Sequence, residues 1–198
     1  KNDIIVAFQN MKMNLTSAWD GTVDSFMWSK DGKKVYFIAA VDGTKQLFEV
    51  NFPGLTRIAI TVRQLTNGNF DVSDLVAVTD THIVVARNDM NHAAELYTFD
   101  FKKKTWKQLT NTNKATYDNI AMGKTEKRYV TTTDGKKMLV WMVYPPNFDP
   151  NKKYPTLLYC QGGPQSPLTQ YYSFRWNFQL MAANGYIVVA PNRRGMPG

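Results

Sequence analysis

Four residues recur in this chain: Gln64-Leu65-Thr66-Asn67 returns as Gln108-Leu109-Thr110-Asn111, 44 positions later. Matching segments precede each copy. Residues 46–50 (QLFEV) pair with 95–99 (ELYTF), and 35–39 (VYFIA) with 83–86 (IVVA). Such short runs of β-branched and aromatic residues fit a pleated surface. Asp31-Gly32 and Asp42-Gly43 punctuate them with dipeptides that tolerate positive φ in tight hairpins. A period in the forties with four short strands per unit fits a β-propeller blade, the alternative being a β-sandwich with a chance repeat. Two blades cannot close a ring of ~4–8. The chain is therefore expected to be an internal piece of a longer protein.

From about residue 127 the pattern changes. Residues 128–133 and 137–144 flank Asp134-Gly135 as a hairpin, and the run from Pro145 to Pro150 is a stiff turn that cannot be a central strand. Residues 155–161 read as an apolar strand ending in the glycine turn Gly162-Gly163-Pro164. A helix is predicted over 173–184, capped by Ser173, stopped by Gly185 and burying Phe174, Phe178, Met181 and Ala182 on one face. Residues 186–190 form a second apolar strand. Strand, loop, helix and strand without alternation predict parallel sheet buried on both faces. The expected fold class is mixed: all-β propeller blades over 1–125, then the opening strands of an α/β domain over 126–198.

The formal net charge is +8, which raises the possibility of nucleic-acid binding. The lysines argue against it, because many sit at turns: Lys33-Lys34, Lys136-Lys137, Lys152-Lys153 and Lys102-Lys103-Lys104. Lysines there stay solvated and discourage edge-to-edge aggregation, whereas a nucleic-acid groove gathers them on one face among stacking aromatics. No apolar run approaches the ~20 residues of a membrane-spanning helix. Cys160 is the only cysteine, which excludes an intrachain disulfide and a cysteine-built zinc site; on an apolar strand it reads as a core thiol. His92 and Glu95 have a metal-like spacing, but on a turn-to-strand segment their side chains need not face each other. No metal or cofactor is expected.

The glycines at Gly162 and Gly163 stand where open α/β sheets bind ligands, beyond the carboxyl end of a strand. They allow a close backbone approach with N–H groups turned outward, as an oxyanion site requires, or they simply end a strand. The surrounding motifs resemble the prolyl oligopeptidase family of serine peptidases, in particular its bacterial dipeptidyl-peptidase members. The similarity is carried by residues 129–133, Asp134-Gly135, 140–144, Pro145-Pro146, Lys153-Tyr154-Pro155 and Gly162-Gly163-Pro164. It continues through residues 176–180, Ala183-Asn184-Gly185-Tyr186 and Asn192-Arg193-Arg194-Gly195.

That resemblance implies a propeller joined to an α/β-hydrolase domain, with an oxyanion role falling on Gln161, or on backbone amides near Gly162 and Gly163. Gln161 stands where the family usually has Tyr or His. Arg194 matches a family arginine beside the active-site wall and is expected to form a structural salt bridge. The family's dipeptidyl members bind the substrate's free amine through paired glutamates. No Glu-Glu pair occurs here, which leaves dipeptidyl and oligopeptidyl activity open.

No G-x-S-x-G is present, and in this fold the acid and histidine follow the serine. The Ser, Asp and His of the triad are expected beyond this chain, so neither His82 nor His92 serves it. Ser166 and Ser173 read as turn and cap residues. The expected function is part of a serine peptidase cleaving short peptides by way of an acyl-enzyme and, as the resemblance implies, releasing N-terminal dipeptides, the isolated chain being inactive. The expected partners are a peptide substrate and either further copies or the rest of the protein, with no nucleic acid and no membrane span. A propeller-based binding module with a silent hydrolase-like segment is the alternative. The resemblance implies a periplasmic or extracytoplasmic location, the alternative being cytoplasmic.

Overall fold

In the computed structural model, which describes residues 1–8, 10–56, 58–162 and 166–196, each unit of the repeat is a four-stranded antiparallel sheet. The first blade runs β3 (Val23–Trp28), β4 (Lys34–Val41), β5 (Thr44–Asn51) and β6 (Val62–Gln64). The second runs β7 (Asp71–Val78), β8 (His82–Asn88), β9 (Glu95–Asp100) and β10 (Trp106–Gln108). A leading hairpin unforeseen in the sequence, β1 (Ile5–Phe8) with β2 (Met11–Asn14), precedes them.

A clasp made by the repeated tetrapeptide closes each blade. Thr66 Oγ1 accepts the Leu47 N–H at 2.9 Å and donates to Gln46 Oε1 at 2.8 Å, while Gln64 Nε2 donates to Thr66 O at 2.7 Å. In the second blade Thr110 Oγ1 accepts the Leu96 N–H at 2.9 Å and donates to Glu95 Oε2, while Gln108 Nε2 donates to Thr110 O at 2.8 Å. Each threonine thus satisfies a backbone donor that the short last strand does not reach.

The unbroken apolar run of β4 follows from burial on both faces. Val35, Phe37 and Ala39 pack with Ile4, Leu15 and Phe48. Tyr36 and Ile38 pack instead against Val72, Leu75, Ile83 and Phe99 of the second blade. The two blades therefore stack face to face through a shared core.

A short helix, α1 (Lys114–Tyr117), leads to a third, mixed sheet. Its members are β11 (Thr125–Thr131), β12 (Lys137–Val143), β13 (Thr156–Leu158) and β14 (Ile187–Pro191), with α2 (Phe178–Ala183) between the last two. The spatial order is β11-β12-β14-β13, with antiparallel β11–β12 and β12–β14 pairs and a parallel β14–β13 pair. The parallel pair joined through a helix is the arrangement the apolar strands predicted. Trp141, Val143, Phe178, Ala182, Val188 and Ala190 form its core.

Three local expectations need correction. The helix begins later than predicted: Asn177, not Ser173, is its cap, with Asn177 Oδ1 accepting the Leu180 N–H at 3.1 Å. Ser173 Oγ instead accepts the Trp176 N–H at 2.9 Å in the preceding turn, and Phe174 is 83% exposed rather than buried. The strand predicted over 155–161 is only three residues long and exposed throughout. With β14 as its single partner in the described sheet, it has one open edge. Cys160 just beyond it is accordingly exposed, not a core thiol. Gly185 does stop α2, at φ +86, with its N–H on Ala182 O.

Candidate active-site region

The run between β12 and β13 is stiffened by rings and one cross-link. Tyr144 and Tyr154 both pack on Phe148, and the Tyr154 hydroxyl accepts the Asp149 N–H at 2.9 Å. This delivers the chain into β13, whose carboxyl end leads to Gln161 and Gly162. Gln161 Nε2 donates to Ser166 O at 3.1 Å, so this side-chain donor is directed along the chain. Gly162 is exposed, has no positive φ, and a Cβ there would meet no atom within 4 Å. Crowding by the described residues does not demand glycine at this position. Gly163 and Pro164 lie outside the described residues.

Downstream, Ser166 and Pro167 line a cleft whose opposite walls are Asp24 and Lys45 of the first blade and Gly195 and Met196 after β14. A second cleft, of about 280 Å³, shares Pro167 and is bounded by Asp42, Tyr129, Leu139 and residues 192–196. Arg194 pairs with Asp134 of the β11–β12 turn, the structural salt bridge expected of it. The Thr132 hydroxyl and then Arg194 hold the Asp134 carboxyl below its usual range.

Residues 168–170 are fastened from two sides. Leu168 exchanges two bonds with the Asn192 side chain, at 2.6 and 2.8 Å. On the blade side, Asp71 at the start of β7 accepts the Gln170 N–H at 3.1 Å, the Lys45 N–H at 2.7 Å and the Thr169 hydroxyl. Asn88 Nδ2 donates to Gln170 O at 2.8 Å, and the Met90 N–H donates to Gln170 Oε1 at 3.1 Å. Asp71 is 1% exposed. Burial pushes its carboxyl up to about 6, against the opposing effect of its three bonds. None of these contacts was visible in the sequence, since Asp71 and Gln170 lie 99 positions apart.

The other sequence candidates lie elsewhere. His82 opens β8, with Nε2 3.4 Å from Asp100 Oδ2. His92 Nδ1 sits 2.9 Å from Asp89 Oδ1, and that bond outweighs desolvation to raise its pKa. Glu95 is taken up by Thr110 and by the N–H groups of Thr112 and Asn113. The structure does not bring His92 and Glu95 together as a ligand pair. Among the described residues no group of three or more His, Cys, Asp or Glu side chains is placed to hold a metal ion.

Two stacked four-stranded blades running into a mixed sheet with a parallel, helix-linked strand pair define the class: propeller blades followed by the opening strands of an α/β-hydrolase. The family described as the dipeptidyl peptidase IV (DPP IV) N-terminal region matches residues 8–139, two thirds of the chain, and the chain belongs to the prolyl oligopeptidase family of serine peptidases.

The chain is 41% identical over 187 residues to dipeptidyl-peptidase 5 of Porphyromonas gingivalis, which covers 94% of this chain and 26% of that protein. It is 44% identical over 164 residues to dipeptidyl-peptidase 5 of Porphyromonas endodontalis, covering 83% of this chain and 23% of that protein. The acylaminoacyl peptidase of Pyrococcus horikoshii superposes with a TM-score of 0.79 at 21% identity, over 99% of this chain and 29% of that one. The chain thus spans about a quarter of the length of the curated relatives it matches.

Proposed function

We propose that these residues are part of a serine peptidase that hydrolyses short peptides and releases N-terminal dipeptides. In this reading, residues 1–125 are the last blades of its propeller and 126–198 the first part of its hydrolase domain. The triad Ser, His and Asp lie outside the 198 residues. The observation that carries the proposal is Gly162, the described residue of the Gly162-Gly163-Pro164 motif, at the carboxyl end of β13. Gly162 sits there without steric need, and the neighbouring Gln161 side-chain amide is directed to Ser166. The oxyanion role therefore falls on backbone N–H groups at Gly162 and Gly163, which a side chain at those positions would obstruct. Dipeptide release is supported by the names of the two Porphyromonas relatives. An extracytoplasmic location is part of the same reading, supported by the family resemblance alone. Among the described residues no helix is long and apolar enough to cross a membrane.

The test is a fluorophosphonate pull-down from a lysate of the source organism, with tryptic mass spectrometry of the captured proteins. Trypsin releases residues 176–193 as one peptide. Enrichment of that peptide, blocked by prior treatment with a serine-hydrolase inhibitor, is the expected result. Its presence only in the unbound fraction would leave the hydrolase part catalytically silent and overturn the reading. The purified 198-residue chain is expected to show no amidase turnover.

A further inference from the structure

Asp71 belongs to the second blade, yet two of its three bonds go to residues 169 and 170 of the hydrolase part. These follow the glycine turn by a few positions. The same short segment is tied to the turn itself through Gln161 Nε2 and Ser166 O at 3.1 Å, and to the end of the sheet through Asn192. Hydrogen bonds thus link Asp71 to residues 169 and 170, and Ser166 of the same segment to Gln161 beside Gly162. The clamp is dry: Asp71, Thr169 and Gln170 are each at most 2% exposed. Charge-assisted bonds from a carboxylate hold geometry more firmly than neutral ones. Catalytic groups displaced by a fraction of an ångström lose much of their effect.

We propose that Asp71, through Thr169 and Gln170, is a positioning residue by which the propeller fixes the backbone N–H of Gly162 for the peptidase reaction. This rests on the oxyanion reading given above. Asp71 touches no substrate; it sets where residues 166–170 lie, and with them the Ser166 carbonyl that holds the Gln161 side chain beside Gly162. Donors aimed at a developing oxyanion act in the transition state more than in the bound substrate. Loosening the clamp therefore lowers kcat and leaves KM nearly unchanged.

The experiment uses the full-length protein with a chromogenic dipeptide substrate and a fluorophosphonate probe. Asp71→Ala and Thr169→Val are expected to lower kcat about tenfold or more, with KM within about twofold and probe labelling slowed in parallel. Asp71→Asn retains most of the activity, since its carbonyl can accept both N–H groups and its amide can donate to the Thr169 hydroxyl. Asp42→Ala, which loosens the other blade's contact, leaves kcat unchanged. Should Asp71→Ala fail to fold, Thr169→Val, which removes a single hydroxyl, still decides the matter. Unchanged kcat in the folded variants, or equal losses in kcat and in thermal stability for Asp42→Ala, overturns the positioning role. Absence of probe labelling in the unmodified protein instead overturns the peptidase reading itself.

Discussion

The two blades reach the mixed sheet with equivalent hairpins but opposite chemistry. The first turns in two residues, Asp42 and Gly43, between β4 and β5, and the second takes six, residues 89–94, between β8 and β9. The short hairpin docks by close approach and charge. The Asp42 carboxylate meets Lys127 Nζ and the Tyr129 hydroxyl, while Trp141 Nε1 donates to Gly43 O at 3.2 Å. The long hairpin docks by burial and amides. Met90 is 3% exposed within the hydrolase core, and Asn91 Oδ1 accepts from Gln179 Nε2 at 2.7 Å. A two-residue turn has no side chain to spare for a neighbour's core, whereas six residues can insert one. The difference assigns most of the interface stability to the second blade and leaves the first with one buried backbone contact and an exposed charged one.

The largest effect expected from breaking that asymmetry is at Met90. In the full-length protein, Met90→Ala should cost about 3 kcal/mol through lost burial and the cavity left behind, read as a fall in Tm. A cost below about 1 kcal/mol would mean that the long hairpin is not the principal anchor.

Asp71 comes next, through pH. Burial, opposed by its hydrogen bonds, raises its folded pKa to about 6 from the usual 3.8. The folded state therefore holds this proton more tightly than the unfolded chain does. The resulting stabilisation is fully present below the unfolded value and is lost as pH rises through about 6. Asp71→Asn should flatten this decline, becoming the more stable protein by on the order of 2 kcal/mol at pH 7. Parallel pH–Tm curves for the two proteins would sink the assignment.

Gly43 follows. It has φ +69, and a Cβ there would stand 2.8 Å from Leu139 Cδ1, so Gly43→Ala should cost about 1.5 kcal/mol from backbone strain and crowding. Smallest is Asp42→Ala. The Asp42 side chain is 54% exposed and its ion pair is screened by water, so less than about 1 kcal/mol is expected, vanishing in molar salt. A salt-independent loss would show that the short hairpin is held otherwise than by charge.

What could be read in the sequence follows the range of the interactions involved. Asp42-Gly43 announced a tight turn because its requirement, positive φ, is local. The Gln-Leu-Thr repeat announced two blades because each clasp is made within its own blade. The helix start was misplaced because Ser173 and Asn177 are both competent caps, and the choice is made by packing: Phe178 reaches the core while Phe174 does not. The strand leading to Cys160 was read as buried from its apolarity, but burial depends on neighbours that the strand's own residues do not encode. The clamp on residues 168–170 had no local signal at all. An aspartate before a strand is ordinary in sequence, and only folding brings Asp71 beside Gln170. The glycine turn was found from its residue types, whereas its fastening to the propeller was not.

The clasps have a consequence for how such a chain can be lengthened. Thr66 and Thr110 close their blades with bonds that begin and end inside the same blade. A copy of residues 68–111 spliced after Asn111 would bring its own closure and, from β7, β8 and β9, its own half of an inter-blade core. What the duplicate could not bring is a second berth for its Met90 or a second Gln170 for its Asp71 and Asn88. Modular growth is therefore open within the row of blades but closed at the coupling to the mixed sheet, which has a single place for the long hairpin.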